Sequence, residues 1–152
     1  LADNATLRLD ADNEFQPDAL LRLPERAGGH SRVSRDDYLE GAPELIVEIA
    51  STSASHDLHD KRKVYRRNGV REYLVWLARD KRILWFVLEE DDYQPLQPAT
   101  DGLLRGRIFP GLALNVRALL DGDLARVLAA QQRQLGGEEH RRFVEALRQA
   151  AP

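Results

Sequence analysis

The feature that most restricts this chain is the run Leu45-Ile46-Val47-Glu48-Ile49-Ala50, bounded by Pro43 on one side and Ser51-Thr52-Ser53 on the other. Its β-branched and aliphatic residues predict a central strand. Glu48 stands in the middle of it. A carboxylate taken out of water without a partner costs several kcal/mol, so it needs a cation, a hydrogen-bonding partner or a way out at the end of the sheet. A bound metal satisfies that need. So does an arginine partner, or a place on the solvent side of a half-exposed strand.

The rest of the chain supplies elements to set around that strand. Residues 6–9 alternate polar and apolar like a half-buried strand that Asp10-Ala11-Asp12-Asn13 would end, and a second strand is predicted from Pro17 to Leu23. Proline, paired glycines and arginines make 24–34 read as a surface loop, and 36–41 as a helical turn or more loop. From Ser55 to Asn68, Leu58, Lys61, Val64 and Tyr65 recur at helical spacing, and Asn68-Gly69 ends the run as a C-terminal cap would. Glu72 to Leu77 and Arg82 to Leu88 predict a β-hairpin across Ala78-Arg79-Asp80-Lys81, followed by a short strand near 93–96. Two helices, 123–135 and 138–150, close the chain around Gly136-Gly137. The expected organisation is a core over 1–119 with a helical extension of the same domain over 120–152.

Composition narrows the chemistry. The 152 residues contain no cysteine, which excludes disulfides and thiolate zinc sites and leaves any metal to carboxylates, imidazoles or carbonyls. A hard cation is favoured. No apolar run approaches a membrane span and the first ten residues lack signal-peptide features, so a cytoplasmic protein with no membrane partner is expected. The formal charge of −3 means that nucleic acid would have to be met by a local basic surface.

Asp18 follows Pro17 at the start of a predicted strand. On its own the pair reads as a turn, but beside Glu48 on a neighbouring strand it could share a divalent ion. Asp57, Lys61 and Tyr65 lie at i, i+4 and i+8 on one helical face. This helix leaves the end of the Glu48 strand through a short serine-rich turn, so Lys61 could reach a phosphate or a water there. Lys63 lies off that face, and Glu44, four residues from Glu48 along a strand, is about 13 Å away and too far to share an ion.

In order, Pro17-Asp18, Ala42-Pro43-Glu44-Leu45-Ile46-Val47-Glu48-Ile49-Ala50-Ser51, then Ser53, Asp57, Lys61 and Tyr65, then Gly69-Val70-Arg71-Glu72-Tyr73 and Phe109-Pro110-Gly111-Leu112 resemble the Uma2 family of putative restriction endonucleases. That family is assigned to the PD-(D/E)xK nuclease superfamily. The resemblance implies an α/β fold, a restriction-endonuclease-like mixed sheet flanked by helices, and a Mg2+ or Mn2+ cofactor. It makes Asp18 and Glu48 the two acids of the motif, with the backbone carbonyl of Ile49 as a further ligand, and Asp57 and Tyr65 supporting residues. The third motif position holds Ala50 instead of lysine. Some superfamily members carry that lysine on the adjacent helix, and Lys61 matches this displaced position. The N-terminal helical region that usually precedes the Pro-Asp motif is expected to be missing.

The expected activity is metal-dependent hydrolysis of DNA phosphodiesters, with DNA as partner and a homodimer as the assembly. Six of the eleven residues 61–71 are basic, and Arg62, Lys63, Arg66 and Arg67 are candidates for phosphate contact. Asp57, Asp60 and Glu72 could equally make this a solvated face. His56 and His59 match a zinc motif weakly, with no general-base glutamate between them. The alternative is an inactive nuclease fold acting as a DNA-binding or dimeric regulatory module. A further one is a structural domain whose two last helices pack on a partner.

Overall fold

The computed structural model describes residues 5–51 and 56–150, leaving aside the side chains of His56 and Asp57. It divides into two compact units, Leu1–Pro95 and Leu96–Pro152.

The larger unit begins with β1 (Leu7–Asp10), β2 (Asn13–Phe15) and β3 (Ala19–Leu21), then β4 (His30–Val33) and β5 (Leu39–Ala42). β6 (Leu45–Ala50), α1 (His56–Arg67), β7 (Glu72–Leu77), β8 (Arg82–Glu89) and β9 (Asp92–Pro95) follow. Two mixed sheets result, a four-stranded one ordered β2-β1-β5-β4 and a five-stranded one ordered β3-β6-β7-β8-β9. The run containing Glu48 is next to the edge, antiparallel to β3 and parallel to β7, with α1 as the connection between the parallel strands. A parallel pair needs such a crossover, and the helical spacing of 56–67 supplies it.

Two strands lie where the sequence reads as loop or turn. β4 and β5 pair antiparallel from His30↔Ala42 to Val33↔Leu39. Their local sequence is polar and glycine-containing, and what makes them strands is the ladder between them and the parallel pairing of β5 to β1. Gly41, at φ 84°, lies so close to β4 that an added Cβ would fall 2.4 Å from the His30 carbonyl oxygen.

One core serves both sheets of this unit. Leu7, Leu9, Leu39 and Ala42 from the smaller sheet join Leu20, Ile46, Tyr73, Val75, Leu77, Phe86 and Tyr93 from the larger one, with Tyr65 of α1 among them. α1 is closed by a Schellman motif: Gly69 N–H donates to Arg66 O and Val70 N–H to Tyr65 O, both at 3.0 Å. The left-handed φ of 78° that this requires explains the Asn68-Gly69 signal. The cap pins the last turn of α1 and with it the backbone of Tyr65.

The smaller unit contains β10 (Leu104–Arg105), β11 (Ala113–Leu114), α2 (Val116–Leu120), α3 (Leu124–Leu135) and α4 (Glu138–Gln149). The two last helices fall where their spacing predicts, whereas the short β10-β11 pair and α2 carry too little periodicity to be read in advance. In the Phe109-Pro110-Gly111-Leu112 segment Pro110 O lies 2.8 Å from His140 Nδ1. A Cβ on Gly111 would meet the same imidazole at 2.9 Å. That segment is a packing element of the smaller unit. No helix among the described residues is long and apolar enough to cross a membrane.

Candidate active site

Three glutamates of the larger unit are buried, and their partners tell them apart. Glu44, 1% exposed, accepts from the backbone N–H groups of Leu23 at 2.6 Å and His30 at 3.3 Å. It fastens the loop before β4 to the start of β6. Glu72, fully buried, accepts from the Trp85 indole N–H at 2.8 Å across the β7-β8 pair. Glu48, 5% exposed, is held by side chains that can do chemistry.

Strand alternation turns Glu48 to the same face as Ile46, toward α1. There Lys61 Nζ donates to both Glu48 oxygens at 3.1 Å, and the Tyr65 hydroxyl donates to Oε1 at 2.7 Å. Lys61 and Tyr65 reach one carboxylate because residues four apart stack on one face of the helix. The ion pair is largely out of water, with the lysine side chain 17% and the glutamate side chain 6% exposed. Tyr65 is fixed by edge-to-face contacts with Phe15 and Tyr73, at centroid distances of 5.4 and 5.2 Å.

Asp18 immediately precedes the adjoining strand, β3. The pairing Ala19↔Val47, carried one residue further, sets Asp18 opposite Glu48. Its Oδ2 accepts from the Ile49 N–H at 2.7 Å, and the residue is exposed. A further step sets Pro17 opposite Ile49. Proline has no N–H, so it cannot supply the ladder bond that would otherwise occupy the Ile49 carbonyl, and the Asp18 carboxylate takes over the N–H side of the pairing. Pro17-Asp18 thus ends the β3-β6 ladder and sets a carboxylate at its mouth, against the backbone of Ile49. That consequence was not legible in the dipeptide alone.

Two carboxylates and a carbonyl are hard oxygen donors of the kind Mg2+ and Mn2+ accept, so the residues present fit the implied cofactor in kind. Among the described residues no group of three His, Asp or Glu side chains converges. Any such ion would therefore rest on few side chains, with the rest of its shell from backbone and solvent. Asp57 lies outside the described side chains; Ala50 is the last residue of β6.

The basic residues of α1 are more engaged than their sequence implies. The Arg62 guanidinium lies 4.4 Å from the Phe86 ring centroid. Lys63 pairs with Asp60 at 3.1 Å, Arg66 with Asp92 at 3.4 Å and Arg67 with Asp10 at 2.9 Å. Lys63, Arg66 and Arg67 also line a groove of about 440 Å³ with Leu88, Glu90 and Asp91. It lies by the β8-β9 turn, near the C-terminal end of α1, while Lys61 and Glu48 meet nearer the helix start. His59 is exposed.

A family model described as Uma2, putative restriction endonuclease, matches residues 1–117. No curated protein matches the sequence. Among solved structures, the chain is similar to a putative nuclease belonging to DUF820 from Anabaena variabilis, with a TM-score of 0.58 at 14% identity. The similarity covers 79% of this chain and 66% of that one, so this chain spans just under two thirds of that protein's length. At this identity the likeness establishes the fold alone, a mixed α/β fold similar to that of the putative nuclease.

Proposed function

Because the chain belongs to the Uma2 family of putative restriction endonucleases, we propose that it is a metal-dependent endonuclease that hydrolyses DNA phosphodiesters at Asp18, Glu48 and Lys61. Family membership supports a nuclease-like function. The observation that carries the finer reading is the convergence of Lys61 and Tyr65 on the buried Glu48 carboxylate, with Asp18 opposite it at the end of the same ladder. A scaffold has little use for an ion pair in that place, since an apolar set of similar volume is commonly as stable or more so.

In this reading Asp18, Glu48 and the Ile49 carbonyl would hold a Mg2+ or Mn2+ ion. When bound, the ion supplies Lewis acidity beside the phosphate. Lys61 orients the attacking water and offsets the negative charge that builds on the phosphate oxygens. Tyr65 holds the Glu48 carboxylate in its orientation. Arg62, Lys63, Arg66 and Arg67 contact backbone phosphates, which gives affinity without choice of sequence. The acids already paired to three of these residues must be exchanged for phosphate, so DNA affinity should be modest and strongly salt-dependent. A homodimer would present two such sites to the two strands of a duplex.

The test is cleavage of supercoiled and single-stranded DNA by the purified protein with Mg2+ or Mn2+, beside Glu48→Gln and Lys61→Ala. Nicking or linearisation that disappears in both variants is the expected result. DNA binding without cleavage under any metal would instead identify an inactive binding module, a reading that Ala50 at the third motif position favours.

A further inference from the structure

Glu48 is engaged unevenly. Oε1 accepts two hydrogen bonds, from Lys61 and Tyr65, and Oε2 accepts one, from Lys61. An ionised carboxylate offers about four acceptor positions, two on each oxygen, so Oε1 is filled and Oε2 is the oxygen that can turn to another ligand. The two donors also differ in freedom. Tyr65 is fully buried, braced by two aromatic rings, and its backbone belongs to the helix cap. Lys61 is a charge on a flexible four-carbon stem that still reaches solvent.

Resting on the reading that Asp18 and Glu48 hold a divalent cation, we propose that Lys61 is a displaceable occupant of that site. Its ammonium yields Glu48 Oε2 when a cation binds, while Tyr65 keeps Oε1 and so preserves the orientation of the carboxylate. The reason is electrostatic. An ammonium astride both oxygens and a dication held by one of them would be close neighbours in a site of low exposure, where like charges repel strongly. The freed amine turns out of the carboxylate toward the mouth of the ladder, where a substrate phosphate would lie. Lys61 thus satisfies the buried acid in one state and faces the substrate in the other, and Tyr65 is a positioning residue in both.

The chain makes this measurable, because its only lysines are Lys61, Lys63 and Lys81. Lys63 and Lys81 are exposed and serve as internal references. The experiment maps acetylation rates at each lysine in the full chain with and without saturating Mn2+, alongside calorimetric Mn2+ binding to wild type, Lys61→Met and Glu48→Gln. Without cation, Lys61 should react at least about tenfold more slowly than Lys63, the scale of one charge-assisted hydrogen bond. Mn2+ should raise the Lys61 rate several-fold while leaving Lys63 unchanged, and Lys61→Met should bind Mn2+ at least about tenfold more tightly. Glu48→Gln should bind little Mn2+ and leave the Lys61 rate insensitive to Mn2+. Calorimetric binding with Lys61 still protected would overturn the displacement and leave the cation site standing. Absence of Mn2+ binding in both wild type and Lys61→Met would overturn the cation site and the displacement together. Should Lys61→Met fold poorly, the acetylation rates of the wild-type chain decide the question alone.

Discussion

Replacing Tyr65 by phenylalanine deletes one oxygen and leaves the packing of its ring in place. The Phe15 and Tyr73 contacts survive, because the phenyl ring makes them equally well. The loss is the 2.7 Å hydrogen bond to Glu48 Oε1. Hydrogen bonds to charged groups contribute roughly 1.5–3 kcal/mol, and here the acceptor keeps its Lys61 contacts, so about 2 kcal/mol is expected for Tyr65→Phe. With a urea m-value of about 2 kcal/mol/M, that lowers the unfolding midpoint by about 1 M. Both tryptophans, Trp76 and Trp85, are on β7 and β8, so their fluorescence reports unfolding of the larger unit. Repeating the substitution in Glu48→Gln should roughly halve its effect, since the acceptor is then neutral. A loss below about 0.5 kcal/mol in the wild-type background, or an equal loss in both, would refute a charged hydrogen bond at this position.

Two further outcomes follow from the larger unit. Asp10 accepts from Asn13, Asn68 and Arg67, which together hold its carboxyl well below the ordinary aspartate range. A depressed folded pKa stabilises above the unfolded value and is lost as pH falls below it. Asp10→Asn should therefore lower stability at neutral pH and flatten the decline seen in acid melts below about pH 4. Glu44→Ala strands the Leu23 N–H in a buried place and should cost about 2–4 kcal/mol in urea unfolding, with DNA cleavage retained under conditions where the fold persists.

How far the sequence could be read depended on whether a residue's role was local. β6, α1 and the β7-β8 hairpin were legible because their apolar period repeats over six residues or more and their ends carry turn or cap signals. β4 and β5 were not, since their strand character comes from pairing with each other and with β1. The basic stretch 61–71 looked like one surface. The tertiary structure divides it into an arginine over Phe86, a lysine inside an ion pair, and arginines bound to acids as distant in sequence as Asp10 and Asp92.

Glu48 shows where the line falls. The sequence by itself determined that a carboxylate must lie in the most apolar strand and that a helix leaving this strand carries Lys61 and Tyr65 on one face, because both follow from periodicities of two and of about three and a half residues. It did not show that Glu44 and Glu72 are as deeply buried, nor which groups would answer each of the three carboxylates. Only the tertiary structure decided that one glutamate meets backbone amides, one an indole, and one an amine and a phenol beside Asp18. A buried charge is answered by whichever groups the fold brings within hydrogen-bonding distance, and those come from strands and helices far apart along the chain.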